Sequence, residues 1–446
     1  MLSIAAKSPL HTPIHVAFLS VVALGLAPGV VYKSRAPDLY PNNVHSKSGW
    51  ILVVLRLALH FVSGIFKTLL CWALAKQVDA RPSSQQYAAA DTATLNGYED
   101  ETDELYSSEF GYHYTDAEHG GREYVLETDD DLEKLRLRHH PLSAELLSNF
   151  HTLTCVIFAL LNRPMVIYGF FQIATGVITA TCIGRSNKVF GMLAHVIKGA
   201  VFVWMGILTF GRVLGAFANL GWAWNLRPPV PRARQSLGAR FFQCSMEMIE
   251  SDLIFFYGVT NIFMEHLGNQ DGKWSHKDLQ HASIAFMFIG GGLCGLLFEY
   301  TTIRRLLNAQ YGFSYNPFPL FTIFWTGILM SQHHQATELS TKIHMQWGYL
   351  FAIAAVFRGI TYIIMYISPP KSYHPSRPMT EVLVSFCLIA GGAVFMSSNQ
   401  ETVDSLLYYG VDGMFTMNLT VGSTALFMSW LMVLMALKGW ASQRRS

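Results

Sequence analysis

Residues 331–367 read SQHHQATELSTKIHMQWGYLFAIAAVFRGITYIIMYI. From His344 to Ile367 the stretch is apolar for long enough to cross a bilayer core, which takes about 20 residues of helix. Two features interrupt it. Histidines crowd its start: His333 and His334 end the preceding apolar run, and His344 opens this one. Arg358 then lies 14 residues beyond His344, about 21 Å along a helix. An ionised side chain at that depth is costly and needs a partner or a purpose. The stretch therefore predicts an all-α membrane protein that carries ionisable groups inside its spans.

Similar apolar runs extend to both sides of it. The predicted spans are 14–32, 49–74, 143–162, 165–183, 190–222, 248–266, 280–300, 319–335, 344–367, 379–397 and 413–437, about eleven in all. Residues 143–183 are too long for one span, and Asn162-Arg163-Pro164 supplies the break of a helical hairpin. Composition agrees. Of 446 residues, 51% are hydrophobic and only 14% charged, against about a quarter charged in soluble proteins. The N-terminal run is read as a retained first span rather than a signal peptide. It is long, has His15 at its start and lacks a clean small-x-small cleavage site.

Residues 76–142 stand apart. They include NGYEDETDELYSSEF and LETDDDLEK, and bury too little apolar surface to fold alone. A solvated loop is expected there, with metal collection as the alternative role for its acids and histidines. The organisation expected is then two bundles. Residues 1–75 and 143–226 form the first, 227–247 is an Arg/Pro linker, and 248–446 form a His-rich second bundle. Six cysteines make no CxxC pair, so they read as free apolar thiols.

Charge orients the chain. Loops 33–48, 223–247, 301–318, 368–378 and the C-terminal tail are basic, whereas 76–142, 267–279, 336–343 and 398–412 are acidic or mixed. Positive-inside puts the basic set and the C-terminus in the cytosol, and the acidic loop in the lumen or outside. The membrane expected is an endomembrane or the plasma membrane. Trp50, Trp72, Trp222, Trp224 and Trp347 fall near predicted span ends, as an interfacial belt requires. The expected partner is the lipid bilayer, not nucleic acid.

That topology collects His15, His151, His195, His266, His281, His333, His334 and His344 toward one face. In the second bundle, Glu265, His266, His281, His333, His334 and His344 occupy consecutive span ends. Imidazole and carboxylate suit zinc, copper, iron or nickel, and three or four of them make a tetrahedral site. Histidines that only stabilise helix ends are the alternative. In the first bundle, His15, His151 and His195 are candidate axial ligands of a b-type haem, with polar helix packing as the alternative. A second polar set comprises Glu250, Asp252, Glu299, Arg358 and Glu381, with Asp252 or Glu299 the expected partner of Arg358. It reads either as a structural ion pair or as a proton or ion pathway. Gly290, Gly291, Gly292, Gly295, Gly391 and Gly392 lack the Lys-Ser/Thr of a phosphate loop and are expected at close helix crossings.

The stretches NFHTLTCVIFALLNRP, HVIKGAVFVWMGILTFGR, SDLIFFYGVTNIFMEHL and PMTEVLVSFCLIAGGAVFMSS, together with the opening one, resemble the fungal yeast-putative-transmembrane-protein (YTP-like) family. The resemblance implies an integral membrane protein of unsettled function. HVAFLSVVALGLAPGVVYKSR is similar to the first haem helix of ascorbate-reducible b-type cytochromes, which implies ligand positions at His15, His45 and His151. Three function classes stay open: His-ligated haem electron transfer, metal binding, transport or sensing, and a membrane scaffold.

Overall fold

The computed structural model describes residues 11–35, 44–55, 58, 156, 164–185, 188–218, 221–224, 244–266, 274, 276–307, 315–372 and 378–443. The acidic loop 76–142, the predicted span 143–162 with His151 (apart from Val156), and the Arg/Pro stretch 227–243 lie outside them. Described residues form helices and turns, and no strand is found among them. The helices are α1 (His11–Arg35), α2 (Val44–Leu55), α3 (Met165–Thr181), α4 (Lys188–Val213), α5 (Met246–His266) and α6 (His276–Glu299). They continue with α7 (Thr301–Leu306), α8 (Pro317–Ser331), α9 (Glu338–Ile367), α10 (Thr380–Ser397), α11 (Gln400–Tyr408) and α12 (Gly413–Gln443). Five are long and apolar enough to cross a membrane: α4, α6 from Asp278, α9, α10, and α12 as far as Trp440. The protein is an all-α, multispanning membrane protein.

Local chemistry sets the helix starts. Asn316 caps α8 by accepting from Phe318 N, and Pro317 takes the first helical position, where no N–H is missed. Thr337 caps α9 through Ser340 N, and Asn399 caps α11 through Thr402 N. Asp412 Oδ1 accepts from Phe415 N at the start of α12. The short helices α7 and α11 are not legible as apolar spans, because each is too short to show an apolar period.

The chain divides into two units, one of residues 1–181 with 438–446 and the other of residues 182–437. The division falls after Thr181, so α4 belongs with the helices that follow the Arg/Pro stretch. In the first unit, α2 and α3 are joined by polar side chains. Gln172 Nε2 donates to His45 O (3.0 Å) and meets His45 Nδ1 at 3.0 Å. Ser48 Oγ donates to Gln172 Oε1 at 2.8 Å, and Tyr168 Oη to Ser48 O at 2.9 Å. His45 Nδ1 also lies 3.0 Å from Thr175 Oγ1. His45, a ligand position in the cytochrome resemblance, is thus a helix-packing residue here.

In the second unit, glycines bring helix backbones together as expected from the sequence. A Cβ on Gly199 of α4 would stand 2.5 Å from Gly392 O of α10, and one on Gly392 2.6 Å from Gly199 O. Gly327 of α8 and Gly348 of α9 make the same reciprocal contact, at 2.5 and 2.6 Å. Between α5 and α6, Gly258 stands against the backbone of Ala285 and Ile289, and Gly292 against that of Phe255. Without an apolar driving force between helices in lipid, such close van der Waals contact is a main source of association. Gly290 meets nothing within 4 Å and is the exception among the glycines singled out. The core between α4, α9 and α10 is aromatic. Trp347 stacks on Phe395 at 4.2 Å, and Phe202 lies 4.0 Å from Phe351. Trp347 is 1% exposed, so it is a core residue and not part of an interfacial belt. Trp224 is likewise buried, against Met365.

Candidate functional site

The second unit has polar groups at two levels, separated by the aromatic core. The first level gathers at helix ends. Glu247 and Glu250 lie in the first turns of α5, Glu381 in the first turn of α10, Arg212 in the last turn of α4, and Glu299 closes α6. Helix N-termini favour carboxylates and C-termini favour cations, so most of these placements suit the charge they carry. The helix α9 runs through the level and brings Arg358 to it.

Arg358 is 6% exposed. Its Nη1 lies 3.5 Å from Glu250 Oε1, and its Nη2 donates to Thr209 Oγ1 at 3.3 Å. Its Nε comes within 2.8 Å of Glu381 Oε1, an ion pair whose contact is off the N–H axis. Arg212, fully buried, has Nη2 3.9 Å from Glu247 Oε1, and its Nε donates to Trp222 O at 2.8 Å. Ser245 Oγ donates to Glu299 Oε2 at 2.7 Å. Among the described residues, two guanidiniums and four carboxyls therefore share one buried level drawn from α4, α5, α6, α9 and α10. At the edge of this level, outside the spans, burial pushes the Tyr315 hydroxyl up, and its Oη donates to Met365 O at 2.9 Å.

The partners of Arg358 are Glu250 and Glu381, not Asp252 or Glu299 as expected from sequence. Asp252 is exposed. Two residues of helix turn a side chain by about 200°, so Asp252 points away from the face that carries Glu250. Glu299 instead accepts from Ser245. Sequence reading also missed Arg212 and Glu247. Their signal was present: an Arg closing a long apolar run, and a Glu opening the next.

The second level holds histidines, in two pairs. His195 of α4 and His344 of α9 have ring centroids 5.9 Å apart with planes at 85°. His281 of α6 and His333, just beyond α8, have centroids 6.4 Å apart. His344 is 3% exposed, whereas His334 is exposed. Glu265 and His266 belong to the last turn of α5, and His15 to the first unit's α1. The structure thus joins a haem candidate, His195, with a metal candidate, His344. Among the described residues, no three His, Cys, Asp or Glu side chains converge as a metal site.

Comparison with known proteins fits this architecture. Residues 168–439 match the family described as "Protein YTP1-like, C-terminal", and residues 1–70 match a domain of unknown function, DUF2427. The chain is 45% identical over 309 residues to the uncharacterized membrane protein YCR061W of Saccharomyces cerevisiae. It is 46% identical over 296 residues to the uncharacterized membrane protein C3B8.06 of Schizosaccharomyces pombe. These alignments cover 65% and 62% of the chain, and 49% and 57% of the relatives, so the chain spans about half of their length. Protein YTP1 of Saccharomyces cerevisiae is 28% identical over 168 residues, 38% of the chain and 34% of that protein. No solved structure matches. These matches lend the b-type cytochrome resemblance no support, since the stretch carrying it falls in the domain of unknown function. With its matched region covering α3 to α12 and more than half of its length, the chain belongs to the YTP1-like family of membrane proteins.

Proposed function

We propose that the chain is a proton-responsive membrane protein, with the Arg358 level as its responsive element. One observation carries the reading: Glu250 and Glu381, from two different helices, face a single buried guanidinium. A structural pair needs one carboxylate. Two on one Arg, with Glu247, Glu299 and Arg212 buried nearby, make an arrangement in which carboxylates repel one another. An ionisable group inside a membrane bundle is a candidate functional site by default. Protonation of Glu250 or Glu381 would remove one attraction to Arg358, and with it one of the ties joining α5 or α10 to α9. Low pH then loosens the helix ends of this level. Haem electron transfer through His15, His151 and His195 draws on the reading of the sequence alone.

The test is hydrogen–deuterium exchange of the full chain in nanodiscs at pH 5 and pH 8, corrected for intrinsic rates. Faster exchange at pH 5 in peptides covering 245–251, 378–384 and 207–213 is expected, and E381Q should exchange at the low-pH rate at both pH values. Equal corrected exchange at the two pH values in the wild type would overturn the proposal.

A further inference from the structure

The geometry points to a monovalent copper site between His195 and His344, independent of the Arg358 level and well removed from it along the same helices. Both rings lie at matching depths, about 10 Å into α4 and about 9 Å into α9. His195 Nδ1 lies 2.7 Å from Gly191 O, and His344 Nδ1 lies 2.8 Å from Ser340 O. A carbonyl oxygen only accepts, so each Nδ1 carries the proton. In the neutral ring Nε2 is then the nitrogen with the lone pair. Metal-bound histidines use this same arrangement, with one ring N–H given to a backbone carbonyl that fixes tautomer and orientation.

The spacing suits one shared ion. An imidazole bound through nitrogen places its ring centre about 3.2 Å from the metal, given a metal–nitrogen bond of about 2.0–2.1 Å. Two such rings would have centroids about 5.2 Å apart at a tetrahedral angle and about 6.4 Å apart when collinear. The observed 5.9 Å lies between those limits.

The surroundings select the ion. Phe395 lies 5.7 Å from His195, Trp347 lies 5.7 Å from His344, and the two aromatic rings stack on each other. Trp347 Nε1 is buried with no hydrogen-bond partner, so the floor of the site offers no acceptor. No carboxylate or thiolate completes a three-ligand set among the described residues. Zinc is almost always four-coordinate and brings two charges into this apolar floor, at a high desolvation cost. Cuprous copper brings one charge and accepts two imidazoles. His344 is buried while His195 is only half-buried, so an ion reaches the site from the His195 side.

The experiment titrates the purified full chain with Cu(I) against a chromogenic Cu(I) chelator under reducing conditions, and records X-ray absorption of the loaded protein. One Cu(I) per chain with two nitrogen neighbours is expected. H195Q and H344Q should each bind at least tenfold more weakly, with unchanged helical circular dichroism. H281Q, in the other pair, should bind as the wild type does. Failure of the wild type to retain Cu(I), a sulfur-dominated absorption spectrum, or full binding by the H195Q/H344Q double variant would overturn the inference. So would loss of binding in H281Q.

Discussion

Arg358 donates to Thr209 fourteen residues beyond the point where His344 of the same helix meets His195 of α4. The interval is the same on both helices, so α4 and α9 run parallel and in register over about 21 Å. Helix α10 repeats it in reverse, since Phe395 touches His195 and Glu381 touches Arg358. Three helices thus hold two polar levels a fixed distance apart. Between them lie Phe202, Phe351, Val384 and Leu388, with Gly199 and Gly392 drawing the backbones close. Each level is set in rigid, well-packed surroundings, which is the condition for a precise site.

Removing Arg358 should cost more than removing either acid. R358A leaves Glu250 and Glu381 buried against one another with no cation between them, at about 3–5 kcal/mol. E250Q keeps the Arg358–Glu381 pair and should cost about 1–3 kcal/mol. The R358M/E381Q double variant should recover part of the R358A loss, because two groups in one network do not add. Reversible unfolding in detergent measures all three. Equal costs for R358A and E250Q would mean that the two carboxylates do not depend on a shared cation.

The sequence made parts of this arrangement plain. Arg358 was legible as a group in need of a partner, because its depth follows from counting residues within one apolar run. The close approach at Gly291, Gly292, Gly295, Gly391 and Gly392 was legible for a similar reason: small residues inside a span have few other uses. Which acid meets Arg358 was not legible, because that depends on the rotation of α5 about its axis. A single sequence fixes helical phase poorly when lipid and core are both apolar. The meeting of His195 with His344 was hidden for another reason. It depends on α4 packing with helices that follow a long Arg/Pro stretch, a tertiary choice that no local pattern records.

Glycine substitutions should separate crossing positions from open ones. A Cβ at Gly199 or Gly348 would meet backbone atoms of the neighbouring helix within 2.5–2.9 Å, and backbone cannot move aside as a side-chain end can. G199A and G348A should each destabilise by about 1–3 kcal/mol through overpacking. Gly290 and Gly422 have nothing within 4 Å. There alanine only improves helix propensity, so G290A and G422A should be neutral or slightly stabilising. Thermal unfolding in one detergent compares the four, and a loss in G290A equal to that in G199A would refute the packing account.

In the first unit, Gln172 is the hub that joins α2 to α3. It donates to His45 O and accepts from Ser48 Oγ. Q172L keeps the volume but strands both partners, at about 1–3 kcal/mol. Y168F loses only one bond, to Ser48 O, and should cost about 1 kcal/mol. Local exchange of residues 44–55 reads the effect directly. Faster exchange there in Q172L than in Y168F is expected, and the reverse order would place the hub at Tyr168.

The alternating helix directions make sidedness testable residue by residue. Trp274 precedes α6, Leu306 closes α7 after it, and Tyr409 follows α11, and all three are exposed. Helix α6 must carry the chain across between Trp274 and Leu306. Helices α9 and α10, with the shorter apolar helix α8, are expected to carry it across three times more before Tyr409. Cysteines introduced as W274C and Y409C should therefore react with an impermeant maleimide from one side, and L306C only from the other. With Arg304 and Arg305 beside it, Leu306 is expected on the cytosolic side by the positive-inside rule. In sealed cells W274C and Y409C should be labelled if the membrane is the plasma membrane, and L306C only after permeabilisation. Labelling of L306C and Y409C from the same side would require one crossing more or fewer between them, and would invert the sidedness of either the histidine level or the Arg358 level.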